Sequence, residues 1–144
     1  MVKDEEVYGR FIMYPRHFEK DVIGDRFISL RPIDNGGISG FILSRLKENE
    51  SIEDYKKTLE LKVKHKQSIS SMGTAVVKDL RACSLNGILI VDVVLTQDVF
   101  PYHAEIQFFL VKEQTLIVEN LRSSEFMYVC DQIKRILLRG IKEV

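Results

Sequence analysis

Ile88, Leu89, Ile90, Val91, Asp92, Val93, Val94 and Leu95 form the most apolar run of the chain, broken by one carboxylate. So dense a run of β-branched and Leu residues is expected of a strand covered on both faces, and this segment reads as the centre of the fold. Asn86 and Gly87 stand just before it, the pair that best tolerates positive φ in a two-residue hairpin turn. The reading therefore takes Thr74 to Cys83 as one strand and Ile88 to Thr96 as its return. Asp98 to Pro101 makes the next bend. Tyr102 to Val111 then alternates, with Tyr102, Ala104, Ile106, Phe108 and Leu110 inward and His103, Glu105 and Gln107 on the other face. Lys112, Glu113 and Gln114 turn the chain into a last strand, Thr115 to Asn120.

Toward the amino terminus, Val7 to Tyr14 alternates as a first strand that Pro15 ends. Arg26 to Arg31 reads as a second, and Asp34, Asn35, Gly36 and Gly37 as a turn into a return strand from Ile38 to about Leu46. Phe41, Ile42 and Leu43 in a row leave a short helix from Ile38 as an alternative. Ser51 caps a helix with Glu53 and Asp54 in its first turn and an apolar stripe of Ile52, Tyr55, Leu59 and Val63. Ser68 to Gly73 reads as a Ser-rich link. The carboxyl terminus is an amphipathic helix capped by Ser123 or Ser124, with Phe126, Val129, Cys130, Ile133, Leu137 and Ile141 in one apolar arc. Asp131, Arg135 and Arg139 stand on its polar side at four-residue steps suited to ion pairs.

These elements define a single α+β domain over residues 1–144. It is mainly an antiparallel sheet of about seven strands, bent or barrel-like, with one inserted helix and a long C-terminal amphipathic helix packed on it. A chain of 144 residues with 45% hydrophobic and 29% charged side chains can build such a core without disulfides. No apolar stretch approaches the ~18 residues of a membrane span, and Met1 to Glu6 has no signal-like apolar region. Cys83 and Cys130, far apart and without metal-site spacing, read as two buried thiols of a reducing compartment. The expected location is the cytoplasm.

Charge is balanced, 21 basic against 21 acidic residues, so nucleic acid is not the expected partner unless a local patch provides for it. Three functional readings follow. The first is a non-enzymatic protein-interaction or regulatory module, adaptor-like or chaperone-like, with a protein partner or a second copy met through a strand or the last helix. No cofactor is expected, because no P-loop, dinucleotide or zinc fingerprint occurs. The second is a small-molecule site or small enzyme on the strand face of His103, Glu105 and Gln107, joined by Arg31 or His17 from elsewhere; a carboxylate beside a histidine can orient an imidazole for proton transfer. The third is a polyanion binder using Lys56, Lys57 and Lys64 of the inserted helix. Asp92, costly in an apolar strand unless paired, is expected near Arg81 or Asp79 as half of a structural ion pair.

Overall fold

A computed structural model describes residues 1–28, 37–46, 52–62, 67–96, 102–110 and 124–144, and Val7–Tyr14 (β1) lies within its main sheet with a strand paired on each side. Ile38–Ile42 (β4) pairs with one edge of β1 and Ser68–Val76 (β5) with the other, both antiparallel. His103–Leu110 (β7) adds to β4, Leu89–Leu95 (β6) to β7, and Ile141–Glu143 (β8) to β5. The six-stranded antiparallel sheet thus runs β6-β7-β4-β1-β5-β8. A small ribbon of Phe18–Glu19 (β2) and Val22–Ile23 (β3) follows β1. Among the described residues three helices accompany the sheet of this α+β domain: Ile52–Lys62 (α1), Val77–Arg81 (α2) and Ser124–Arg139 (α3).

Both faces of β1 are covered, which its alternation dictates. Tyr8 and Ile12 point to the side where α3 lays down Phe126, Val129, Ile133 and Leu137, all buried, beside Ile38, Ile42, Ala104, Ile106 and Phe108. Phe11 points the other way, into a second cluster with Phe41, Ile69 and Met72 that Ile52, Tyr55 and Leu59 of α1 close. Tyr55 stacks on Phe41 at 5.5 Å between ring centroids. The inserted helix and the C-terminal helix therefore take opposite faces of the sheet.

Two glycines let β1 and β4 approach. Gly9 faces the Phe41 ring, where a Cβ would stand 3.0 Å from Cζ; Gly40 faces Tyr8, where a Cβ would stand 2.5 Å from the phenol oxygen and closer still to the Gly9 carbonyl. The Tyr8 hydroxyl, fully buried, donates to the Ile38 carbonyl at 2.8 Å.

The apolar run that opened the sequence reading does not hold the centre. In β6, Leu89, Val91 and Val93 are buried, Ile90 is exposed and Asp92 and Val94 are half-buried, so one face is covered and the strand is outermost among the described residues. Its outer edge is closed locally. The Leu85 N–H donates to the Leu89 carbonyl at 2.8 Å, Ser84 Oγ accepts the Val91 N–H at 2.8 Å, and Asp92 Oδ1 accepts the Val93 N–H at 2.8 Å. Side chains and a turn fill places another strand would take.

Other differences have local causes. Ser68 to Gly73 is strand, not link: Ile69 and Met72 are buried core residues, and Gly73 lies under Leu137 of α3. The strand expected to run to Cys83 stops at Val76, because Val77 and Leu80 bury three residues apart in α2. Gly87 does adopt φ +74, but its turn joins the exit of α2 to β6 rather than two long strands. Asp25–Ile28 is a 3-10 turn, not the start of a strand, and it buries Phe27 and Ile28 in the α3-side core. Leu43–Arg45 is a second such turn, ending β4 before Leu46. The C-terminal arc ends at Gly140, and Ile141 belongs to β8, a strand absent from the sequence reading. Of the expected pairs on α3, Asp131 and Arg135 meet at 3.0 Å. The Asp34 to Gly36 turn, the caps Ser51 and Ser123, the Asp98 to Pro101 bend and the strand Thr115 to Asn120 lie outside the described residues. No described helix is long and apolar enough to cross a membrane.

Gly40→Ala should destabilise the fold by about 2 kcal/mol or more, because the added methyl meets backbone and a locked Tyr8 ring. Gly87→Asn should cost under about 1 kcal/mol, since Asn accepts positive φ and that position has open space around it. Urea unfolding midpoints of the two variants check both; equal small effects would contradict the close approach at Gly40.

Candidate functional site

Where β8 stops, the edge of β5 opens. β8 pairs with Ser71, Met72 and Gly73, and the Gly140 carbonyl then accepts both the N–H and the hydroxyl of Thr74, at 3.0 and 2.7 Å. Gly140 is required at this corner, because a Cβ would stand 2.7 Å from Thr74 Oγ1. Two residues on, the chain leaves the sheet into α2. The result is a notch of about 830 Å3, with Thr74 to Val76 along its floor. Asp79, Ala82 and Cys83 form the α2 side, Tyr128, Gln132, Ile136 and Arg139 the α3 side, and Lys142 closes one end.

Two arginines hold the frame of this notch. Arg81, in the last turn of α2, bonds Asp92 Oδ1 through Nε at 2.8 Å, Asp4 at 2.7 Å and the Val2 carbonyl at 2.6 Å. It ties the amino terminus and α2 to β6. The pair expected for Asp92 is therefore present, formed because α2 lies along β6 rather than through a hairpin register. Arg45 makes a forked pair with Glu6, at 2.5 and 3.0 Å, and reaches the Met1 carbonyl at 2.8 Å. The Arg45 bond holds the Glu6 carboxyl below its ordinary range. Glu6 in turn gives its carbonyl to the Val77 N–H at 2.8 Å, and Asp4 gives its own to the Lys78 N–H at 2.9 Å. The first turn of α2 is thus capped by the N-terminal segment.

The Cys83 thiol in the notch is pushed up by burial, reinforced by the Asp79 charge; Cys130 is pushed up by burial to about 11. Both are free, and the upward shifts keep them in the thiol form at neutral pH.

His103, Glu105 and Gln107 do share one sheet face, with Asp92 and Val94 of β6 alongside. They engage near neighbours: His103 Nδ1 meets the Thr96 hydroxyl, and Gln107 donates to Glu105 at 3.3 Å. His17 is not brought to them. It is buried after β1, edge-on to Phe27, with its Nδ1 accepting the Met13 N–H at 2.9 Å. Arg10 is committed to the Phe27 and Ser39 carbonyls at 2.9 and 2.6 Å. Arg31 and Lys64 lie outside the described residues. Lys56 pairs with Glu53 at 3.7 Å with its side chain largely covered, and Lys57 is exposed. No metal-holding cluster of His, Cys, Asp and Glu occurs among the described residues.

The residues that line the notch were missed for a readable reason. Val77 and Leu80 carry a helical spacing, and Gly140 is an ordinary helix terminator, but each was overridden by a longer apolar pattern around it. Compared with known proteins, the chain matches no family model, no curated protein and no solved structure.

Burial, with the Arg10 charge adding to it, pushes the His17 imidazole down to about 3. The unfolded chain takes up this proton near the ordinary value of about 6.5, so between these two pH values the unfolded state binds more protons and stability falls as pH falls. His17→Asn keeps an acceptor for Met13 and removes the titration. Urea midpoints from pH 7 to 4 should show wild type losing up to about 1.4 kcal/mol per pH unit more than the variant; parallel pH profiles would contradict a neutral buried His17.

Proposed function

We propose that this chain is a non-enzymatic protein-interaction module that receives its partner in the notch between α2 and α3. The observation that carries this is the set of large apolar side chains left open there. Val76, on the notch floor, is 39% exposed and Tyr128, on its α3 wall, 58%. A fold that closes two cores leaves such groups uncovered together where a partner covers them. An open floor of strand backbone between two helical walls is also a surface on which another chain can lie.

Two further features support the reading. The thiol within the notch is held protonated by burial, which suits packing against a guest. The edge of β6 is filled by Ser84, Leu85 and Asp92, which favours a partner at the notch over a second copy added to that strand. On the alternative faces, His103 and Glu105 are engaged along their own sheet and Lys56 is paired on its own helix.

A photo-crosslinking amino acid placed at position 128 should give discrete protein adducts in cells of the source organism, and the same group at position 57 should not. Adding the unlabelled wild-type chain to the extract should suppress the position-128 adducts, whereas a Tyr128→Glu chain should not. The same adducts at both positions, or equal competition by both chains, would contradict the proposal.

A further inference from the structure

Along β5 the direction of each backbone N–H is settled by its bonds. The Thr74 N–H points away from β1, to the Gly140 carbonyl, and the Val77 N–H points toward the β1 side, to the Glu6 carbonyl. Alternation leaves the Val76 N–H pointing outward, beyond the last residue that β8 covers and into the notch. The neighbouring carbonyl is not its equal. Val76 stands at the N-cap of α2, where its own C=O starts the helix. The floor thus offers a donor.

The charged lining agrees with it. Arg139 and Lys142 stand at the α3 and β8 end of the notch, both exposed, and among the described residues neither enters an ion pair; Asp79 is the one carboxylate across from them. Tyr128 and Ile136 supply an apolar wall between. A main-chain donor, two cations and an aromatic face in line match an extended peptide that offers a carbonyl, a carboxylate and an apolar side chain.

We infer that the notch takes an extended acidic peptide segment, which lays a main-chain carbonyl on the Val76 N–H and a carboxylate between Arg139 and Lys142. This rests on the reading of the notch as a partner site and names the chemistry of that partner. The segment prolongs the line of β8 along β5, with its apolar side chain against Tyr128.

The test uses the full chain and three fluorescein-labelled hexapeptides alternating Val with Glu, Val with Lys or Val with Ser, read by fluorescence anisotropy at low salt. The Val-Glu peptide should bind at least about tenfold more tightly than the Val-Lys peptide, and added salt should narrow the difference. Arg139→Glu with Lys142→Glu should remove or reverse that preference. Val76→Pro should weaken the Val-Glu peptide by about tenfold or more, because it deletes the outward donor while keeping an apolar side chain at that position. Val76 already has φ −69 and ψ 135, the conformation proline prefers, and Ala75 before it is extended, so the variant keeps its fold and a thermal melt verifies it. Equal binding of acidic and basic peptides, no binding of any, or full affinity in Val76→Pro would overturn the inference. If position-128 crosslinks persist in that event, the partner-site reading stands with a guest of other chemistry; if they vanish too, both fall.

Discussion

Tyr8 and Phe41 each occupy space that a neighbouring glycine leaves empty, and the rest of the structure depends on that exchange. Gly40 of β4 admits the Tyr8 ring on the α3 side, and Gly9 of β1 admits the Phe41 ring on the α1 side. β1 and β4 therefore lock through both faces at once. The Tyr8 hydroxyl is fully buried, and its bond to the Ile38 carbonyl satisfies what would otherwise be a costly buried group. Once this pair is set, Phe11 and Phe41 give α1 its seat, and Ile12, Ile38 and Ile42 give α3 its own.

The amino terminus is part of the same construction. Arg45 and Arg81 bind it from two sides, and the Glu6 and Asp4 carbonyls cap the first N–H groups of α2. These links draw the chain out of β5 after Val76 and turn it along β6. Two residues before that exit, beside Thr74, Gly140 turns α3 into β8. The notch lies between these two departures from the sheet, so its floor is strand and its walls are the helices that end there. Edges are treated in opposite ways: β6 is closed by Ser84 from the turn before it and by its own Asp92, whereas β5 is left open over the last residues before α2.

Much of the fold was legible in the sequence. The alternation of Val7 to Tyr14 and of Tyr102 to Leu110, the stripe of α1 and the arc of α3 each carry a period that survives into the structure. The α+β class followed from them. The centre did not, because a run such as Ile88 to Leu95 has the composition of a strand buried on both faces while its burial alternates, a difference set by neighbours distant in the chain. Ser68 to Gly73 misled for the opposite reason: its serines resemble a linker, and Gly73 is small because Leu137 of α3 lies on it, which the sequence alone does not display. The shared face of His103, Glu105 and Gln107 was readable from alternation, as was the need of Asp92 for a partner. The notch was not, since it is assembled from residues of β5, α2, α3 and β8 whose relative placement no local pattern encodes.

Native-state hydrogen exchange, resolved amide by amide, tests the central claim most directly: that β1 anchors the domain and that β5 turns one donor outward at its end. Tyr8 and Ile12 of β1, with Ala75 and Val77 beside them, should exchange only through global unfolding, while Val76, between two protected amides, should exchange orders of magnitude faster. Equal protection across Ala75, Val76 and Val77, or slower exchange in β6 than in β1, would contradict the account.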